Sequence, residues 1–225
     1  MEVIIVPSRS SEPAVLIVDD HELVATSLAM GLRAQGLPAR HCGPADALAL
    51  ARLLEPGVVL LDLDLGRDPQ GHPVAGVDLV EPLQVAGWRV VILSGTADAG
   101  RVGAALAVGA VAAVPKSAPF PRLLSVVHTA VAGGEVMPEA RRRELIDVHR
   151  RRTEDRSGLL SRLDRLTQRE REVLAEIADG HRAQAVADAA VVSVATVRTQ
   201  IRGILTKLEV SSQLEAVALY RRAHG

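Results

Sequence analysis

The sequence predicts an α/β fold with a doubly wound parallel sheet, followed by a small all-α domain. In the first half, short Val, Leu and Ile runs alternate with longer amphipathic stretches rich in Ala and Leu. This alternation is typical of parallel strands joined by crossover helices. The runs at residues 58–61 and 90–93 are continuously apolar, which indicates strands covered on both faces. Near the C-terminus, helix start and stop signals follow one another closely.

Five strands are predicted, each followed by a candidate helix. They span residues 14–20, 38–43, 58–64, 89–95 and 112–116. The domain boundaries that we expect are an N-terminal extension at 1–13, a first domain at 14–132, a linker at 133–165 and a second domain at 166–225.

The segment at 139–165 is dense in charge, with arginine triplets at 141–143 and 150–152. We interpret it as a linker that is helical in part, since Leu145 and Val148 can share a face, and we expect Ser157 and Gly158 to interrupt the helix. Charge runs usually face solvent, but a role in dimer formation or DNA contact stays open.

Four short helices are predicted from residue 166 onward. Thr167 and Glu170 have the spacing of a capping box, and Gly180 is a plausible C-terminal stop. Ser193 is the next expected N-cap, and Ser212 opens a final helix that reaches about residue 222. Four helices in roughly 60 residues match the size of a small DNA-binding bundle.

Composition narrows the functional classes. With 225 residues, 48% hydrophobic and 24% charged, the chain can bury ordinary cores. Only 1% of residues are aromatic, which disfavours binding of RNA or single strands by base stacking. Residues 1–138 hold 9 basic and 14 acidic residues, a net charge of −5, whereas 139–225 hold 17 and 13, a net charge of +4. This asymmetry suggests an acidic module joined to one that binds a polyanion.

The compartment is expected to be the cytoplasm. The single cysteine, Cys42, excludes an internal disulfide and a multi-cysteine zinc site. No cleavable leader pattern and no apolar stretch of about 20 residues is present, so we expect no membrane association.

Acidic and polar groups fall at the carboxyl ends of four predicted strands. They are Asp19 and Asp20, Asp62, Ser94 and Lys116. In an open parallel sheet these ends meet at one crevice, where three carboxylates repel each other unless a hard cation such as Mg²⁺ neutralises them. A carboxylate beside Mg²⁺ can attack a phosphoryl group while a lysine and a hydroxyl stabilise its oxygens. The alternative, that each acid only caps a following helix, is harder to hold for all the positions together.

The segments VLIVDDHE at 15–22, VLLDLD at 59–64, ILS at 92–94 and Lys116 resemble a receiver domain over roughly residues 14–132. The resemblance implies a flavodoxin-like five-stranded sheet. The roles that it implies are phosphoacceptor for Asp62, Mg²⁺ ligand for Asp20, acidic neighbour for Asp19, backbone carbonyl ligand of the metal for Asp64, switch hydroxyl for Ser94 and phosphate-sensing cation for Lys116.

Two features depart from the family pattern. The segment after Asp62, residues 65–76, is longer than the usual short turn, which affects kinase docking, hydrolysis or metal access. Ala113 stands where these domains usually carry an aromatic switch residue, so signal relay by a rotating ring is not expected. His21 and His72 flank the site, but loop histidines are usually solvated and Mg²⁺ prefers oxygen.

The helix expected after Ser193 has a buried face and an exposed basic face. Its apolar positions are Val197, Ile201, Ile204, Leu205 and Leu208. Arg198 and Arg202 lie one turn apart on the other side, with Thr199 adjacent, as suits a helix that enters the major groove. An ordinary amphipathic surface helix is the alternative.

Residues 166–222 as a whole resemble a LuxR-type helix-turn-helix, through LTQREREVL at 166–174, ADG at 178–180, SVATVR at 193–198 and ILTKLEV at 204–210. The resemblance implies that Arg198, Thr199 and Arg202 contact bases or phosphates, and that Lys207 holds either the DNA backbone or the fold.

The two halves together resemble a NarL/FixJ-type response regulator. This resemblance implies a bacterial transcriptional regulator that is not an enzyme beyond its own phosphotransfer and dephosphorylation, with Mg²⁺ as cofactor. Its expected partners are a sensor histidine kinase, a double-stranded DNA operator and a second copy of the chain. Two alternatives stay open: a phosphorylation-independent DNA binder whose receiver is a dimerising or ligand-sensing platform, and a Mg²⁺-dependent phosphatase or phosphotransferase.

Overall fold

A computed structural model describes residues 14–67, 70–95 and 98–224. The predicted N-terminal extension at 1–13 lies outside these ranges. The chain divides into two units, Met1–Arg150 and Arg151–Gly225, and the boundary falls within one long helix of the segment interpreted as a linker.

The first unit is built on a five-stranded parallel sheet. Its strands are β1 (Val15–Val18), β2 (Ala39–Cys42), β3 (Val58–Asp62), β6 (Arg89–Ser94) and β7 (Ala112–Pro115). They lie in the order β2-β1-β3-β6-β7. This is the flavodoxin-like arrangement, in which the strand order reverses between β1 and β3 while all strands stay parallel. The predicted α/β fold and its five strands are confirmed.

Helices cover both faces of this sheet, as the apolar strands require. They are α1 (Glu22–Ala34), α2 (Ala47–Leu53), α3 (Val77–Val85), α4 (Ala99–Ala107) and α5 (Phe120–Val131). One core contains Trp88 with Leu16, Leu61 and Ile92, and the other contains Ile17 and Val127. Alternate residues of each buried strand thus point into opposite cores.

The segment after Asp62 differs from the prediction. We expected the third strand to continue to residue 64 and a Gly/Pro-rich loop to follow. Instead β3 ends at Asp62, and an antiparallel hairpin forms from β4 (Asp64–Arg67) and β5 (Pro73–Ala75). Gly66 and Gly71 have φ values of +67° and +87°, which glycine adopts without strain. Residues 68 and 69 of this hairpin lie outside the described ranges.

The expected break at Ser157 and Gly158 is wrong, because α6 (Glu139–Asp164) runs through both residues. An interior glycine costs a helix only about 1 kcal/mol. Apolar anchors beyond it offset that cost: Leu159 and Leu163 are each 7% exposed and pack in the core of the second unit.

The second unit has the four predicted helices, α7 (Gln168–Ala178), α8 (Ala183–Ala189), α9 (Val194–Leu208) and α10 (Gln213–His224). The Thr167 and Glu170 capping box is present, and Gly180 follows α7 with φ +94°. Ser193 caps α9 by accepting from the amide of Thr196 at 3.0 Å. Among the described helices, none combines the length and the apolar character needed to cross a bilayer.

Candidate functional site

The carboxyl ends of β1, β3, β6 and β7 bring the predicted polar groups together. Asp19 is 3% exposed, Asp62 1% and Ser94 9%. Each of these polar residues follows or ends a strand of apolar residues and is buried with it. Strand register explains the convergence: Val18 pairs with Leu61, Asp62 with Leu93, and Ser94 with Pro115. The sequence prediction of one polar crevice at this sheet edge therefore holds for these residues.

Lys116 joins the two buried carboxylates. Its Nζ donates to Asp19 Oδ2 at 2.7 Å and to Asp62 Oδ2 at 2.8 Å. Burial alone lowers the pKa of Lys116, but hydrogen bonds and charge attraction from both carboxylates outweigh burial and raise its pKa above the ordinary value. The ammonium thus stays charged at neutral pH and offsets part of the repulsion between the acids.

Among the described carboxyl groups, Asp62 is the one whose pKa the protein raises. Burial is the main cause, and the Asp19 charge adds to it, although hydrogen bonds from Lys116 and from the amide of Asp64 oppose the shift. That amide lies 3.2 Å from Asp62 Oδ1. Asp19 is held similarly, since the amide of His21 donates to its Oδ1 at 2.8 Å.

A group of potential metal ligands lies at the mouth of this crevice. Asp19, Asp20, His21 and Asp62 offer ligand atoms that all lie within 4.8 Å of one another. Three carboxylates form an oxygen-rich donor set that suits a hard divalent cation such as Mg²⁺. His72 does not belong to this group in the described part of the chain.

The position of His21 is a finding that sequence reasoning discounted. Its Nδ1 lies 2.8 Å from Asp20 Oδ1 and 3.2 Å from Asp19 Oδ1. The imidazole is 65% exposed, so it lies on the outer side of the acidic group. Its position directly after the acidic pair was the only signal in the sequence.

Helix α9 presents the predicted basic face. Val197, Ile204 and Leu208 are buried, while Arg198 and Arg202 are exposed. Within the described residues neither guanidinium has a hydrogen-bond or ion-pair partner. Unpaired cations one turn apart on a rigid helix are free to meet phosphates or base edges.

The other two predicted DNA contacts have partners within the domain. Thr199 is exposed, and its hydroxyl donates to the carbonyl of Ala195 at 3.0 Å. Lys207 donates from Nζ to Glu170 Oε2 at 2.6 Å. Of the two roles that the sequence left open for Lys207, this contact favours a role in the fold.

Comparison with known proteins agrees with both halves of the geometry. Residues 15–128 match the family model for the response regulator receiver domain, and residues 164–220 match the model for bacterial regulatory proteins of the luxR family. The chain belongs to the response regulators of the NarL/FixJ type.

Relatives of this response regulator align over almost its whole length. The transcriptional activator protein ExaE of Pseudomonas putida is 31% identical over 212 residues, which cover 91% of this chain and 94% of ExaE. The response regulator protein VraR of Staphylococcus aureus is 29% identical over 214 residues, covering 94% and 97%. A solved structure of the response regulator StyR is 26% identical, covers 94% of this chain and 100% of its own, and has a TM-score of 0.46. The two matched family models show that the chain joins a receiver domain to a LuxR-type DNA-binding domain, as regulators of transcription do.

This response regulator has two further residues at its acidic site that sequence reasoning missed. Arg101 on α4 places Nη1 2.6 Å from Asp64 Oδ1 and donates from Nη2 to the carbonyl of Leu63 at 3.0 Å. Gly66 in the hairpin lies so close to Asp20 that a Cβ there would be 2.7 Å from Oδ2. Neither residue had a signal in the sequence, because both contacts depend on how the hairpin and α4 fold over the sheet edge.

The receiver also has a cavity next to Ala113. The cavity has a volume of about 330 Å³, and its lining includes Ser94, Val102, Ala113, Met137 and Leu145. Ala113 on β7 is only half-buried and pairs with Ile92. The small side chain thus leaves open space beside Ser94.

Proposed function

We propose that this response regulator is switched by phosphorylation of Asp62, and that the modified form binds an operator in double-stranded DNA more tightly. The observation that carries the proposal is the bridge that Lys116 makes between the buried carboxylates of Asp19 and Asp62. A charged lysine held between two carboxylates lies close enough to pair with a phosphoryl group that is added to one of them.

Asp19, Asp20 and Asp62 would hold Mg²⁺, together with the backbone carbonyl of Asp64. When bound, Mg²⁺ neutralises the phosphoryl oxygens and orients them for in-line attack. Asp62 then forms the new P–O bond while the bond from phosphorus to the donor breaks, and the electron pair leaves with the donor. With a sensor histidine kinase as donor, that bond is the P–N bond of phosphohistidine.

The remaining polar groups act on the product. Lys116 loses one carboxylate partner when Asp62 is esterified, and its ammonium then pairs with a phosphoryl oxygen. Ser94 ends β6 at the same edge of the sheet and is 9% exposed. Its hydroxyl can donate to another phosphoryl oxygen. The receiver would thus catalyse its own phosphotransfer and the later hydrolysis.

For the DNA-binding domain we propose that Arg198, Thr199 and Arg202 form the contact surface in the major groove. The exposure of both guanidiniums supports this assignment, whereas Lys207 supports the fold through Glu170. One such domain buries little area, so we propose that two copies bind a site of approximate two-fold symmetry.

The test is labelling of the full chain with acetyl phosphate and Mg²⁺, followed by DNA-binding selection with each form. We expect wild type to label, Asp62→Asn to stay unlabelled and Asp78→Asn, a change at an exposed acid on α3, to label as wild type does. DNA affinity should rise with labelling in wild type and in Asp78→Asn, and should stay unchanged in Asp62→Asn. Labelling of Asp62→Asn at the wild-type level would contradict the assignment.

A second candidate, regulation without phosphorylation, is favoured by the hairpin beside Asp20 and by the cavity at Ala113. The receiver would then serve as a platform for dimer formation or ligand sensing. Wild type that does not label, together with DNA affinity equal to that of Asp62→Asn, would support this candidate.

A further inference from the structure

We propose that Arg101 is a positioning residue that couples the loop after Asp62 to α4 and, through α4, to the first half of α6. The inference rests on the proposed function, since it concerns how esterification of Asp62 is passed on.

The guanidinium holds the two residues that directly follow Asp62. It pairs with the carboxylate of Asp64 at 2.6 Å and donates to the carbonyl of Leu63 at 3.0 Å. The amide of Asp64 in turn donates to Asp62 Oδ1. Phosphorylation replaces the single negative charge of the Asp62 carboxylate with a larger phosphoryl group that carries about 1.5 to 2 negative charges, so the loop held by Arg101 is the first backbone to respond.

The backbone of Arg101 lies in the first turn of α4. Asp98 caps the helix by accepting from the amides of Gly100 at 2.9 Å and Arg101 at 3.4 Å. The helix then buries one face, which includes Val102 and Leu106. A displacement of the loop therefore acts on the first turn of a short, well-packed helix.

The middle of α4 contacts α6 at backbone distance. A Cβ at Gly103 would lie 2.1 Å from the carbonyl oxygen of Leu145, so only glycine permits this approach. Arg142 on α6 donates to the carbonyl oxygens of Leu106 and Ala110, both at 2.7 Å. These contacts join α4 directly to α6.

The alternative path through β7 is not packed in this way. Ala113 lines the cavity of about 330 Å³ that also reaches Ser94 and Leu145. Ala99 and Val102 of α4 line the same cavity, so the direct contacts between α4 and α6 are those made by Gly103, Leu106 and Arg142. Displacements pass between sites through contiguous packed groups, and Arg101 lies on the helix that makes these contacts.

The experiment measures hydrogen exchange of the full chain in α4 and in residues 139–150, with and without acetyl phosphate and Mg²⁺, while intact mass reports labelling. We compare wild type with Arg101→Ala and Arg101→Lys. Arg52→Ala is the matched control, because Arg52 is exposed on α2 and has no hydrogen-bond or ion-pair partner in the described part of the chain.

We expect wild type and Arg52→Ala to label and to change exchange in both segments. Arg101→Ala should still label, but its labelling-dependent change at 139–150 should fall about fivefold, and Arg101→Lys should restore part of it because one cation remains. Asp64→Asn keeps the backbone carbonyl that we assign to Mg²⁺, and its exchange is compared per labelled molecule. On that basis it should produce the same loss, and the double variant no more than either single one, as expected for a pair acting as a unit.

A full wild-type response in labelled Arg101→Ala would overturn the inference while leaving the proposed function intact. Failure of wild type to label would instead overturn the proposed function, and the inference with it. A purely structural role would speed exchange in unlabelled Arg101→Ala yet keep the labelling-dependent change, which also contradicts the inference.

Discussion

Lys207, near the end of α9, lies 2.6 Å from Glu170 Oε2 at the start of α7. The same carboxylate oxygen accepts from the amide of Thr167 at 2.8 Å and from its hydroxyl at 2.9 Å. One glutamate thus completes the N-cap of α7 and ties it to the DNA-binding helix. Burial alone raises the pKa of Glu170, but the hydrogen bonds from Lys207 and Thr167 outweigh it and hold that pKa below its ordinary value.

The first prediction concerns acid stability. Because Glu170 has a lower pKa in the folded than in the unfolded chain, its stabilisation is complete above about pH 4.3, the ordinary glutamate pKa. It is lost as pH falls through the folded pKa. Glu170→Gln should lower the free energy of unfolding of the C-terminal unit by about 1 to 3 kcal/mol at neutral pH. The difference in free energy of unfolding between Glu170→Gln and wild type should narrow as pH falls below about 4.3, as followed by urea titrations.

Glu172→Gln is the control for this prediction. Glu172 lies on the same helix but pairs at the exposed surface with Arg169 at 2.8 Å, and exposed pairs contribute about 0 to 1 kcal/mol. If the difference in free energy of unfolding between Glu170→Gln and wild type stayed constant from neutral pH down to pH 3, the assigned pKa direction would be contradicted.

The second prediction concerns metal binding at the hairpin. Gly66→Ala forces an L side chain into φ +67° and brings a Cβ to 2.7 Å from Asp20 Oδ2. Gly71→Ala meets the same backbone strain at φ +87° but has open space around its Cβ. We therefore expect Gly66→Ala to weaken Mg²⁺ binding about tenfold, as for other groups that orient metal ligands, and Gly71→Ala to leave it near wild type.

Isothermal titration with Mg²⁺ measures this difference directly. Equal losses in the two variants would assign the effect to hairpin strain, and no loss in either would mean that Gly66 does not constrain the Asp20 carboxylate.

The third prediction concerns DNA affinity. If Arg198 and Arg202 each neutralise a phosphate, Arg198→Ala and Arg202→Ala should each reduce the slope of log affinity against log salt by about 1. A base contact should instead cost about 1 to 3 kcal/mol and relax specificity at one position. Binding titrations at several salt concentrations separate these outcomes.

Arg169→Ala supplies the control, since this arginine lies on α7 and already pairs with Glu172. The slope of log affinity against log salt for Arg169→Ala should match that of wild type. A smaller slope for Arg169→Ala than for either α9 variant would move the contact surface away from α9.

The sequence predicted those parts of the fold that follow from local periodicity. The five parallel strands, the caps at Thr167 and Ser193, and the polar crevice at the sheet edge are all present. Each follows from residues close in sequence or from the general rule that parallel strands align their carboxyl ends.

Contacts between distant elements could not be predicted in the same way. The approach of Gly103 to Leu145, and the pairing of Arg101 with Asp64, depend on helix positions that no periodicity encodes. The hairpin was missed because its strands are three and four residues long and rich in Gly and Pro, which are turn signals in a sequence.

The last prediction addresses the helix that the sequence predicted to break. Gly158 lies exposed inside α6, with nothing within 4 Å of an added Cβ. Gly158→Ala should stabilise the C-terminal unit by about 0.5 to 1 kcal/mol, because alanine lowers the conformational entropy of the unfolded chain and favours the helix.

Gly36 provides the opposite case. An added Cβ would have open space there, as at Gly158, but the residue follows the end of α1 with a φ of +82°. Gly36→Ala should destabilise the receiver by about 1 to 2 kcal/mol. Calorimetry of the full chain should show a C-terminal transition raised by a few degrees, about 4 °C or more per kcal/mol for a unit of this size, and a receiver transition lowered. If Gly158→Ala lowered its transition instead, residues 157 and 158 would form a break in solution, and α6 would act as two shorter helices.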